Sequence, residues 1–174
     1  MTHSYTPETY QEILSELAEG GDIALNDDLF IGLMQYVDQR VEEDCEADLL
    51  EETGKDRLFE IFMLRFDVLN EHREGFQTLF YSTLKSPRYF RLALPQFHQS
   101  MEVMLRLADM NGRDGSACTP LRVGALALAY LNAVRVWLND DSPDMTKTMA
   151  ELDKGLSLLD KRYDRLPDVI KRFV

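Results

Sequence analysis

A chain of 174 residues, 45% hydrophobic and 29% charged, can bury a core without disulfide or metal staples and is compositionally wrong for a disordered protein. Its net charge of −12 is unevenly placed: residues 1–56 hold sixteen acids and two bases, and the remaining 118 hold fifteen acids and seventeen bases. An end of that sign repels phosphate backbones, whose binding depends on Lys and Arg displacing counterions, and so argues against non-specific DNA or anionic-membrane binding through the N-terminal end.

The first seven residues lack a basic start followed by an apolar run, so no secretory signal is predicted and the cytoplasm is the expected compartment. Thr6-Pro7 reads as a hydroxyl N-cap with proline at the first helical position. Tyr10, Ile13, Leu14 and Leu17 then follow at helical spacing, and Gly20-Gly21 stops the helix. Asn26 is expected to cap a second helix, with Asp27 and Asp28 favourably placed against the dipole and Phe30, Leu33, Met34, Val37 and Val41 on its inner face. The acid run over residues 42–52 reads as a solvated segment fraying into a loop that ends at Gly54.

Asp56 is expected to open a third helix bearing Leu58, Phe59, Phe62, Met63, Phe66 and Leu69. Asn70 is expected to end it and cap the next, in which Phe76, Leu79, Phe80 and Leu84 recur at helical spacing. Ser86-Pro87 repeats the cap-plus-proline signal, and Pro95 predicts a break or kink. Beyond it Phe97, Met101, Met104, Leu105 and Ala108 mark a long helix, followed by a loop over residues 111–115. Thr119-Pro120 starts a strongly apolar helix through Leu138. Its Asn132 and Arg135 make it a buried helix rather than a span, so no stable membrane insertion is expected. Residues 139–143 form a tight turn whose Ser142 caps the last long helix, with Met145, Met149, Leu152, Leu156 and Leu159. Residues 163–174 form a short extra segment around Pro167. No period-2 strand pattern occurs. The fold class expected is all-α: about eight helices in a multi-helix bundle, one domain over residues 1–174.

Carboxylates are plentiful, but a di-iron or di-manganese bundle needs Glu-x-x-His pairs, and none of His3, His72 and His98 has a Glu three residues before it. No Gly-x-Ser-x-Gly elbow is present, nor a cysteine with an evident histidine partner, and the glycines at 112 and 115 have neither the Walker nor the dinucleotide spacing. Cys45 and Cys118 suggest no disulfide framework. Neither an enzyme nor a cofactor or metal is therefore expected. The aromatic and methionine stripe suits either plain core or an apolar ligand cavity, because thioether and aromatic side chains adapt to varied guests. Its candidate lining residues are Phe62, Met63, Phe66, Phe80, Tyr81, Phe97, His98, Met101, Met104 and Tyr130. The helix over residues 120–138 is apolar on most sides and carries small residues at Gly124, Ala125, Ala127, Ala129 and Ala133, so it needs partners on more than one face. A homodimer is expected, with Ala125, Leu128, Leu131, Val134, Arg135, Leu138, Met149, Leu152 and Leu156 as candidate interface. The acid run is a candidate dock for a basic protein partner.

Three strings, RVGALALAY at 122–130, VWLNDDSPD at 136–144 and TMAELD at 148–153, resemble the C-terminal end of TetR-type regulators. The Trp-Leu-x-Asp-x-Ser-x-Asp turn is also similar to that of the TetR-fold lipid-binding proteins of coenzyme Q biosynthesis. DRLF at 56–59, RFD at 65–67 and HREG at 72–75 look like the first helices of the same ligand-binding domain, so the resemblance covers about residues 27–160, after a short acidic N-terminal helix and turn (1–26) and before a tail (161–174). The resemblance implies a helical pocket for an apolar small molecule or lipid, and dimerisation through the last two long helices. In regulators it also implies an N-terminal helix-turn-helix. Here one short acidic helix over residues 7–19 precedes the matching region, with about six residues between, so two DNA-reading helices are not accommodated and direct DNA binding is not expected. The expected function is a ligand-binding regulatory or accessory protein without a functional DNA-binding head. Two alternatives stand beside it: a lipid-binding accessory of quinone biosynthesis, and a regulator that still contacts DNA.

Overall fold

The hydroxyl and amide caps read from the sequence stand where helices begin. Thr6 Oγ1 accepts from the Thr9 N–H at 3.4 Å with Pro7 behind it, opening α1 (Pro7–Ala18). Asn26 Oδ1 accepts from the Leu29 N–H at 2.8 Å and opens α2 (Asp27–Asp44). A computed structural model describes residues 5–20, 26–45, 53–110 and 120–164. Among these residues five further helices follow: α3 (Gly54–Glu71), α4 (Arg73–Lys85), α5 (Pro87–Leu107), α6 (Pro120–Trp137) and α7 (Thr146–Asp164). No strand occurs among the described residues, and the fold is an all-α multi-helix bundle. The expected loop at 111–115, Cys118, and the part of the C-terminal segment beyond residue 164 lie outside the described residues.

Three boundaries differ from the sequence reading. The third helix begins at Gly54, not at Asp56: Thr53 is its cap, with the Asp56 N–H donating to Thr53 Oγ1 at 3.3 Å and the Thr53 hydroxyl donating back to the Asp56 carboxylate at 2.6 Å. Thr53 is thus a hydroxyl N-cap whose own proton goes to Asp56, and the glycine between them reads from sequence as a stop. Asn70 is not the cap residue of the next helix: its carbonyl oxygen accepts from the Arg73 guanidinium at 3.1 Å, and His72 stands at the cap position without a side-chain cap. Pro95 lies inside an unbroken 21-residue α5. It removes the N–H that would serve the Arg91 carbonyl, yet both residues are exposed, so water can take the missing donor's place.

The chain forms two compact units, and the division passes within α3 and α5. One holds residues 1–44 and 64–100, the other residues 45–63 and 101–174. In the first unit α2 is the hub. Tyr10 of α1 packs over Gly32, and its ring lies 5.4 Å from that of the buried Tyr36. Arg40 forks onto Glu71 of α3 through two 2.9 Å bonds and also donates to the Tyr36 hydroxyl at 3.1 Å. Phe30 stacks on Tyr89 of α5 with centroids 5.1 Å apart. A polar junction joins three helices: buried Arg65 of α3 pairs with Asp38 of α2, and the fully buried Ser100 hydroxyl of α5 donates to the other Asp38 oxygen at 2.6 Å.

In the second unit α6 and α7 form the main packed pair. Gly155, nine residues into α7, lies against Ala129, eight residues before the end of α6, so the two run antiparallel. α3 is tied to the end of α5 by Arg57, which donates to the Ala108 carbonyl at 2.7 Å, and to α7 by a 2.7 Å ion pair between Lys55 and Asp153.

α1 meets α4 so closely that a Cβ at Gly75 would collide with the backbone carbonyl of Leu14, whereas a Cβ at Gly32 would meet only the mobile end of Tyr10. Gly75→Ala should therefore lower the unfolding free energy by about 1–3 kcal/mol, because a backbone must shift to make room. Gly32→Ala should cost clearly less, since the phenol can swing aside and the helix gains about 0.5–1 kcal/mol from losing a glycine. Urea unfolding of both variants followed by circular dichroism checks the order.

Candidate functional site

The turn that carries the sequence resemblance is organised by one carboxylate. Asp140 is 1% exposed, and its two oxygens share four donors. Oδ1 accepts from the Ser142 hydroxyl at 2.5 Å and the Ser142 N–H at 3.2 Å, and Oδ2 accepts from the Thr148 N–H and hydroxyl, both at 2.8 Å. Burial by itself would raise this acid, but the hydroxyl and amide donors outweigh it and hold the carboxyl well below the usual carboxylate range. Ser142 in turn accepts from the Thr146 N–H at 3.0 Å; α7 starts at Thr146, later than expected, so Ser142 serves its first N–H from within the turn while Asp140 reaches Thr148 in the first helical turn. Met145 takes a left-handed φ of 51° to let the chain enter that helix.

The candidate pocket residues divide between the two units. In the second unit Phe62, Met101 and Met104 are fully buried, Tyr130 is nearly so, and Met63 is half-buried; the Phe62 and Tyr130 rings stack 4.8 Å apart. In the first unit Phe66 is fully buried, Phe80 and Phe97 are half-buried, and Tyr81 and His98 face solvent. The last two differ from the expectation of a pocket lining because α4 turns Gly75, Phe76 and Leu79 inward and α5 turns Tyr89 and Ser100 inward, which leaves positions 81 and 98 on the far side.

Of the candidate interface residues, Val134, Leu152 and Leu156 are buried within their own unit, and Ala125 and Leu138 are half-buried. Leu128, Leu131, Arg135 and Met149 face outward. Two outward residues escaped the sequence reading, Leu121 at 68% exposure and Leu158 at 50%. A signal for the first was available, since Leu121 lies seven residues before Leu128 and therefore on its face of α6.

In the first unit an open groove of about 550 Å³ runs beside α1, lined by Glu8, Gln11, Glu12, Ser15, Glu16, Glu19 and His72. Its chemistry is polar and anionic, unlike the apolar cavity anticipated. Glu8 in particular is held below the ordinary carboxylate range by its own backbone N–H at the helix start and by the Thr6 hydroxyl. Among the described residues no three His, Cys, Asp or Glu side chains converge as a metal site, and no helix is long and apolar enough to cross a membrane. Comparison with protein-family models, curated proteins and solved structures gives no match to the chain.

The depressed acidity of Asp140 sets the direction of a pH effect. A carboxyl whose folded value lies below its unfolded value of about 3.9 contributes fully above that value and loses its contribution as the pH falls further. Asp140→Asn keeps the shape but turns donors toward donors, and should cost about 1.5–3 kcal/mol at neutral pH. The gap in urea midpoint between the natural chain and the variant should be complete at pH 7 and narrow below about pH 4. A gap that stays constant down to about pH 2.5 would show that charge on Asp140 is not what the turn uses.

Proposed function

We propose that the chain is a TetR-like ligand-domain module without chemistry of its own, working as a homodimer formed through α6 and α7 and taking an apolar small molecule among its helices. The observation that supports this reading is the outward face of α6. Leu121, Leu128 and Leu131 follow one another at helical spacing, with Gly124 and half-buried Ala125 between them; on α7 Met149 and Leu158 are also exposed, on opposite sides of that helix. One exposed leucine is ordinary on a protein surface, but a row of them beside small residues is the composition of a self-complementary interface in which helices approach closely. The turn motif centred on Asp140 supports the same family reading from the sequence side.

The ligand part of the proposal rests on residue type. The stacked Phe62 and Tyr130 and the buried Met101 and Met104 supply the polarizable surface that an apolar guest would need. The acidic groove beside α1 favours a cationic protein segment as a further partner, in keeping with the charge of residues 1–56.

Sedimentation velocity at tens of micromolar chain tests the dimer. The natural chain should sediment as a dimer, and Leu128→Glu combined with Leu131→Glu should give a monomer of unchanged helix content, since both side chains are exposed within one chain. A natural chain that stays monomeric at that concentration would remove the support for this reading.

A further inference from the structure

From residue 75 to residue 101 the chain contains no Asp or Glu, although acids make up 31 of its 174 residues. Within that stretch stand Lys85, Arg88 and Arg91, all exposed, at the end of α4 and in the first half of α5. Large apolar side chains are exposed on the same two helices: Leu84 is 58% exposed, Phe90 48% and Leu94 53%. On α5, Phe90 and Leu94 are one helical turn apart, and Arg91 lies beside them on the same outward face, three residues before Leu94. The opposite face of the helix is fixed inward by the Phe30–Tyr89 stack and the Ser100–Asp38 bond, so these side chains cannot turn into the core of their unit. Arg88 is held by Asp27 at 2.5 Å, whereas Lys85 and Arg91 make no ion pair among the described residues.

We infer that this face of α4 and α5 docks on an anionic lipid surface, with Lys85, Arg88 and Arg91 at the headgroups and Leu84, Phe90 and Leu94 dipping into the acyl boundary. A cation set between an aromatic and an aliphatic side chain on one outward helix face, as Arg91 is between Phe90 and Leu94, is the composition of an interfacial segment. Phosphate on a nucleic acid would reward the cations but gives no return for two exposed leucines and a phenylalanine. Between residues 88 and 95 the exposed side chains are those of Arg88, Phe90, Arg91, Leu94 and Pro95, so this stretch offers charge and apolar surface, and a lipid surface asks for no more. Asp27 already offsets Arg88 at 2.5 Å, so the attraction rests on Lys85 and Arg91, while acids beyond a Debye length of about 8 Å at physiological salt are largely screened. The association is therefore reversible and sensitive to salt.

Co-sedimentation of the full chain with phosphatidylcholine vesicles, with and without about one-third phosphatidylserine, tests the inference. The chain should pellet with the anionic vesicles and remain in solution with the neutral ones. Each cation at an anionic surface contributes about fivefold, so Lys85→Gln with Arg91→Gln should weaken binding about 25-fold. Phe90→Ser with Leu94→Ser should remove binding to the same vesicles, and circular dichroism melts should show both variants folded, as expected for exposed positions. Equal behaviour with the two vesicle types, or binding unchanged in either variant, overturns the proposal. Retention on immobilised polyglutamate without vesicle binding overturns it too, and assigns the face to an acidic protein.

Discussion

A carboxylate taken out of water must be met by donors, and the α6–α7 hairpin is built around one that is. Asp140 finds four donors within an eight-residue stretch, all on the turn or the first helical turn beyond it. Once it is seated, the direction of α7 relative to α6 is fixed, and Gly155 comes to rest on Ala129. That contact decides the fate of every apolar residue on the pair. Trp137, Val134, Leu152 and Leu156 are used inside the unit, and Leu121, Leu128, Leu131, Met149 and Leu158 are left outside. The exposed face is thus a consequence of hairpin geometry acting on a helix that is apolar on more than one side. A narrower apolar stripe on α6 would have been consumed by α7 alone.

The first unit applies the same rule with a different group. Arg65 and Asp38 are costly to bury, and a paired buried charge is weak evidence of net stability. Its value lies in specificity: moving α2, α3 or α5 by one helical turn would leave a charge unpaired or strip the buried Ser100 hydroxyl of its acceptor. Registering α5 in this way presents Phe90, Arg91 and Leu94 to solvent as a fixed set. Arg40, clasped by Glu71 and Tyr36, repeats the tie nearer the surface.

Legibility in the sequence followed the range of each interaction. Thr6, Asn26, Ser86 and Ser142 were readable because a cap acts within three or four residues. Thr53 was hidden by the glycine that follows it, since the same residue type stops one helix and sits harmlessly in the first turn of another. Pro95 read as a break because the sequence does not say that the Arg91 carbonyl faces water. Periodicity placed Phe62, Phe66, Met101 and Met104 inward correctly, yet it could not divide them between two units, because that division depends on contacts distant in the chain. Tyr36 escaped for a related reason: its burial is paid for by Gln11 and Arg40, partners on either side of it that only a folded α1–α2 pair identifies. Among the interface candidates, Val134 of α6 and Leu152 and Leu156 of α7 are buried within one chain, because each of these helices packs on the other, a contact that periodicity alone does not assign.

Charge segregation ties these local outcomes to function. A chain that only needed solubility could have spread its acids evenly, at less cost in self-repulsion than sixteen acids within residues 1–56. Concentrating them leaves residues 75–101 free of acid, although both stretches contribute to one compact unit. The anionic groove beside α1 and the cationic, apolar face of α5 are therefore chemically opposed surfaces of a single unit, while the α6 face in the other unit runs through Leu121, Leu128 and Leu131 to a single cation, Arg135. Under the proposed reading each surface takes a different class of contact: cationic, anionic with an apolar component, and apolar. Discrimination among partners by unfavourable pairing needs this separation, because a surface of mixed sign would repel none of them. For a chain whose buried polar groups are occupied in holding helices in register, the chemistry that remains for recognition is on those faces.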